Sequence, residues 1–85
     1  MVQFSYTVKD EAGIHARPAG SLVKLARESA CEVTMKKGEK VADLKKIFTV
    51  MSLGVKSGDT VTVEVAGAGE EALAEKLQSF FIEHL

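Results

Sequence analysis

His15, Arg17 and Pro18 stand close together in GIHARPAG, residues 13–20, and their types suit chemistry on an anion. A neutral imidazole has a ring nitrogen free to act as a nucleophile. A guanidinium is a permanent cation whose planar fork matches phosphate oxygens. Proline is tolerated in the first turn of a helix, where its missing N–H costs little. A helix beginning here would aim the unpaired amides of its first turn, and the positive end of its dipole, at the same place. The chemistry this permits is phosphoryl acceptance on His15, with Arg17 and the helix amides holding the charge. Local chemistry is equally compatible with a capping histidine beside a solvated arginine.

To be held in this way the motif needs a strand before it and a helix after it. Val2, Phe4, Tyr6 and Val8 alternate with polar residues at the period of a half-buried strand. From Ala16 the apolar positions become Ala19, Leu22, Val23 and Ala26, a spacing that predicts a helix of about 12 residues. Val33 and Met35, the turn residue Gly38 in KKGEK, and Val41 in a returning segment predict a hairpin. Leu44, Ile47, Phe48 and Met51 mark a short second helix capped by Gly54, with Phe48 partly exposed. TVTVEV is the clearest strand, with Val61, Val63 and Val65 facing one way. After AGAG, Glu70 and Glu71 favour a helix start, and Leu73, Leu77, Phe80 and Phe81 form the apolar face of a last helix. His84, at the exposed end of that helix, is expected to make an ordinary favourable contact with its dipole. The order β-α-β-β-α-β-α with one-faced strands predicts an α+β fold, a mainly antiparallel sheet with helices on one side.

Composition narrows the function classes. A chain of 85 residues, 46% hydrophobic and of net charge −1, fits one soluble domain with a single core. It is not a polybasic nucleic-acid binder, and one tyrosine with no tryptophan offers little for stacking bases. Cys31 is the only cysteine, so it is read as a small, partly buried side chain and not a nucleophile, without a disulfide or metal partner. No apolar run resembles a signal peptide or membrane span, so the protein is expected in the cytoplasm without membrane insertion. No P-loop, GxGxxG, HExxH or metal-spaced cysteine pair occurs, so no cofactor or metal is expected. A small acyl-phosphate hydrolase would need a means to activate water, which His15 alone does not define.

GIHARPAG resembles the active-site signature of the HPr family, the histidine-containing phosphocarriers of the bacterial phosphoenolpyruvate:sugar phosphotransferase system, and DLKKIFTVMSLGVKSGD is similar to that family's second characteristic stretch. The resemblance runs from end to end and includes the glycines at 13, 38, 54, 58 and 67. It implies an open-faced β-sandwich, a four-stranded antiparallel sheet with three helices on one face. It further implies that His15 is phosphorylated on Nδ1 by enzyme I and passes the group to sugar-specific IIA domains, with Arg17 beside it and the segment Ala16, Arg17 and Pro18 cradling the phosphate. Gly20, Lys24 and Arg27 on the first helix, and Ile47, Phe48 and Met51 on the second, are implied as the partner-docking surface. Read without the resemblance, the two cations are a solvated helix face and the three apolar residues are core. The family's regulatory serine at the start of the second helix is replaced by Lys46, which has no hydroxyl to modify; Ser52 does not align with it and reads as an ordinary helix serine. The chain is expected to be monomeric. The rival reading within the family is a regulatory module that binds a transcription factor or enzyme without passing phosphate, although such relatives typically lose the histidine.

Overall fold

The alternating valines of TVTVEV set the centre of the molecule. In a computed structural model, which describes all residues from Met1 to Leu85, Thr60–Ala66 is a strand whose Val61, Val63 and Val65 are fully buried. The elements run β1 (Val2–Thr7), α1 (Ala16–Arg27), β2 (Glu32–Lys37), β3 (Lys40–Asp43), α2 (Ile47–Ser52), β4 (Thr60–Ala66) and α3 (Glu70–His84). The four strands form one antiparallel sheet in the order β1-β4-β2-β3, so the valine strand lies inside it and β1 and β3 are its edges.

One face of the sheet is polar. There Ser5 and Thr62 share a hydroxyl hydrogen bond of 3.0 Å, Thr7 and Thr60 one of 2.8 Å, and Lys36 meets Glu64 at 3.1 Å. The other face is apolar and carries the helices. α1 buries Ala19, Leu22, Val23 and Ala26, while α3 buries Leu73, Ala74, Leu77 and Phe81. The Phe81 ring is edge-on to Phe4 at 5.9 Å and tilted against Tyr6 at 5.5 Å, so α3 covers the outer strand β1 with an aromatic cluster. This is the open-faced α+β architecture expected from the sequence.

Several sequence expectations shift in detail. Leu44 is fully buried but precedes α2, following β3 directly; the inward residue of α2 itself is Val50. In β3 the buried side chain is Ala42, and Val41 is 59% exposed. Val8 lies one residue beyond β1 and is buried there. Cys31 is buried, with its Sγ donating to the Ala68 carbonyl at 3.1 Å. Gly54 follows α2 at φ +61, the left-handed conformation that suits a helix C-terminus. No helix is long and apolar enough to cross a membrane.

Candidate functional site

The link between β1 and α1 is shaped mainly by backbone contacts. Asp10 starts an Asx turn: its Oδ1 accepts the Ala12 N–H at 2.8 Å and its carbonyl accepts the Gly13 N–H at 2.9 Å. Gly13 then adopts φ +66, and a Cβ there would stand 2.2 Å from the Val55 carbonyl oxygen and 2.7 Å from Lys56 Cα. Only glycine permits that approach. Ile14 then donates its N–H to the Val55 carbonyl at 3.0 Å and buries its side chain. The other side of this junction is tied down as well. Asp59 accepts the Lys56 N–H at 2.8 Å and pairs with Lys37 Nζ at 3.0 Å, and Lys37 also donates to the Gly54 carbonyl at 3.0 Å. The Lys56 amide foremost, then Lys37, hold the Asp59 carboxyl below the usual aspartate range. The loop that presents residue 15 is thus fastened to the segment leaving α2.

His15 is the N-cap of α1, with φ −104 and ψ −177, and its carbonyl accepts the Ala19 N–H at 3.0 Å. Its side chain makes no capping hydrogen bond. A histidine placed to cap the helix would commit a ring nitrogen to a first-turn amide; this one is exposed and leaves those amides alone. Ala16 and Arg17 contribute N–H groups that have no carbonyl one turn earlier to reach. Both residues are exposed, whereas Pro18 is buried and seats the start of the helix. No acidic side chain occupies the first turn, so the positive end of α1 is not neutralised from within the helix.

The imidazole and the Arg17 side chain line an open cleft of about 420 Å³. Asp10 and Ser21 border it, and Phe80 and His84 of α3 form part of its wall. The sequence places His84 at an exposed helix end with only the dipole to serve; the structure brings it to the same cleft as His15. Phe80 is likewise a cleft residue, half-buried and packed on the core, while Phe81 is fully buried. Short-range sequence patterns cannot find this meeting, because it joins opposite ends of the chain. No three His, Cys, Asp or Glu side chains come together in an arrangement that could hold a metal ion.

The other candidate residues lie on α1 and α2, which pack side by side. Lys24 and Arg27 are exposed, and a Cβ on Gly20 would meet nothing within 4 Å. Arg27 is not wholly free: its Nε donates to the Lys45 carbonyl at 2.7 Å, while Lys45 Nζ reaches back to the Ser29 carbonyl at 2.9 Å. Phe48 is 84% exposed and Met51 39%. Ile47 differs from them, being half-buried and packed on the core, so it anchors α2 and the exposed apolar surface falls to Phe48 and Met51. Lys46 is the N-cap of α2, exposed, with no side-chain capping bond. Ser52 donates to the Phe48 carbonyl at 2.6 Å, the back-bond of an ordinary helix serine.

Comparison with known proteins adds a family. The family model described as the PTS HPr component phosphorylation site matches residues 2–83. The phosphocarrier protein HPr of Lysinibacillus sphaericus is 41% identical over 78 residues, covering 92% of this chain and 89% of the relative. A solved mycoplasma histidine-containing phosphocarrier protein superposes with a TM-score of 0.93 at 30% identity, over 96% of this chain and 93% of that one. An HPr dimer from Thermoanaerobacter tengcongensis superposes with a TM-score of 0.77 at 30% identity, over 98% and 95% of the two chains. The monomeric state expected from the sequence is therefore not a rule among the relatives.

Proposed function

The chain belongs to the HPr family of phosphocarriers, and on that footing we propose that His15 is the residue that carries the phosphoryl group, taking it from a phosphohistidine of enzyme I and handing it to IIA domains. Enzyme I obtains the group from phosphoenolpyruvate. In the first transfer the N–P bond on enzyme I breaks as a bond from phosphorus to His15 Nδ1 forms; in the second, that bond breaks as the IIA acceptor takes the group. One phosphoramidate replaces another, so neither step needs water or a cofactor.

The observation that carries this reading is the uncommitted imidazole at the N-cap of α1, above a first turn with no acid of its own. The Ala16 and Arg17 amides and the Arg17 guanidinium supply donors for the oxygens of the arriving group. Exposure of His15 allows two partners to reach it in succession. Lys24 and the remaining donors of Arg27 are exposed on α1, and Lys46 is exposed at the start of α2 with Phe48 and Met51 beyond it; cations and apolar side chains on two adjacent helices suit transient docking of an acidic surface. Lys46 keeps a positive charge where relatives under kinase control carry a serine, so the carrier stays competent when ATP is plentiful. A purely regulatory module has no use for an open nucleophile at this position. The reading places the protein in the cytoplasm, where enzyme I and phosphoenolpyruvate are met.

Intact mass after incubation with enzyme I and phosphoenolpyruvate tests the proposal. One phosphate, stable in base, lost in mild acid and mapped to His15, is the expected result; an acid-stable adduct, or none, would overturn it.

A further inference from the structure

The cleft has two sides of opposite electrostatic character. α1 brings the positive end of its dipole and Arg17. α3 brings its carbonyl end, the negative pole of its dipole, and this end is tied to the site loop by the Lys9 and Asp10 N–H groups, which both donate to an oxygen of the Leu85 α-carboxylate. Asp10 adds a carboxylate at the cleft, and Glu83 Oε2 lies 3.8 Å from His84 Nε2. A phosphoryl group on His15 would bring close to two further negative charges into this space. The basic group that α3 contributes to the cleft is His84. Its ring is braced against Phe80, with centroids 4.7 Å apart and planes inclined by 38°, and Phe80 itself packs on the core.

We infer that His84 is a charge-compensating residue of the phosphoryl cleft: it takes up a proton when His15 carries phosphate, and so couples the stability of the phosphorylated form to pH. The inference rests on His15 being the acceptor. The charged and titratable groups facing His84 are His15 and Arg17 on the α1 side, Asp10 from the loop, Glu83 on its own helix and the α-carboxylate of Leu85 that follows it. Of these, only His15 changes its charge on phosphorylation. Linkage makes the effect reciprocal: if phosphate on His15 tightens proton binding at His84 by some factor, protonation of His84 favours the phosphorylated form by the same factor. His84 is a positioning residue for charge, and it takes no phosphate itself.

Phosphoramidate salts provide the probe without enzyme I: the P–N bond of the reagent breaks, ammonia leaves, and a P–N bond to the histidine forms. With the modified residue mapped by mass, the ring proton of His84 is followed by NMR across pH in the unmodified and phosphorylated protein. Proton affinity at His84 should rise about threefold to tenfold on phosphorylation, the scale of a double charge acting across a water-filled cleft. It should also shrink as salt is raised. His84→Gln should remove the matching component of the pH dependence from the phosphorylation equilibrium with enzyme I, while His84→Lys should keep the phosphorylated form favoured without that component. An unchanged His84 titration in protein shown to carry phosphate on His15 would overturn the inference and leave the carrier function standing. Phosphate mapped to His84 in place of His15 would overturn both.

Discussion

α1 and α3 begin in opposite ways. The first turn of α3 is filled from within: it carries Glu70 and Glu71, and Glu70 accepts the Gly67 N–H at 3.1 Å and meets the N-terminal ammonium at 2.7 Å. Its dipole and its loop amides are served by the chain's own carboxylate. The first turn of α1 has the same dipole, no acid, an arginine and an N-cap histidine whose ring makes no capping bond. A helix N-terminus is thus not a site by virtue of being one. What distinguishes α1 is a first turn without an acidic side chain, together with a nucleophile at its N-cap.

The largest expected effect removes that nucleophile. His15→Ala should abolish phosphoryl acceptance while leaving the melting temperature nearly unchanged, since the side chain is exposed and makes no capping bond. Full labelling of this variant by enzyme I would move the acceptor elsewhere. Next, Arg17→Ala should lower the maximal transfer rate about a hundredfold, the usual cost of losing one donor aimed at charge that develops in flight. Its affinity for enzyme I should change less. A loss confined to affinity would make Arg17 a docking charge instead. Ala16→Glu then converts α1 toward the pattern of α3 by supplying a carboxylate to the empty first turn. It should stabilise the helix slightly and slow transfer by about tenfold, as the new charge opposes the phosphate. Wild-type transfer in this variant would show that the dipole end is not used.

Much of this contrast is legible from sequence. The strand of alternating valines, the apolar stripe of α1 and the two glutamates opening α3 each follow from local spacing, and the structure places all three as read. GIHARPAG reads as a strand-to-helix turn for the same reason. Its glycine, however, is explained only by a contact from afar: Gly13 is required because the Val55 carbonyl lies where its side chain would go. Leu44 falls outside α2 because an apolar residue just ahead of a short helix matches the helical spacing as well as one within it, and the backbone, not the pattern, decides which. Ile47 and Phe48 are adjacent and chemically alike, yet one packs on the core and the other projects from it; in a helix of under two turns, one residue of rotation separates the two fates. His84 and Phe80 reach the cleft through tertiary packing alone, and no period in the sequence encodes it.

The smallest expected effect tests the filled end. The N-terminal ammonium, and after it the Gly67 amide, hold the Glu70 carboxyl below the ordinary glutamate value. Because the folded state lowers this value, the charge contributes stability that is present above the unfolded value and is lost as pH falls through the folded one. Glu70→Gln keeps a carbonyl oxygen to accept the Gly67 N–H but removes the charge that serves the α3 dipole. At pH 7 its melting temperature should therefore fall by at most a few degrees, as befits a partly exposed contact. On acidification below about pH 4 the native protein should lose this advantage and the two melting curves should converge. The variant should gain no second phosphate, because an opened α3 still lacks a nucleophile at its N-cap, where Gly69 stands. A gap between native and variant melting temperatures that is the same at pH 7 and pH 3 would show that the carboxylate charge does not serve α3, and the contrast with α1 would then rest on His15 and Arg17 alone.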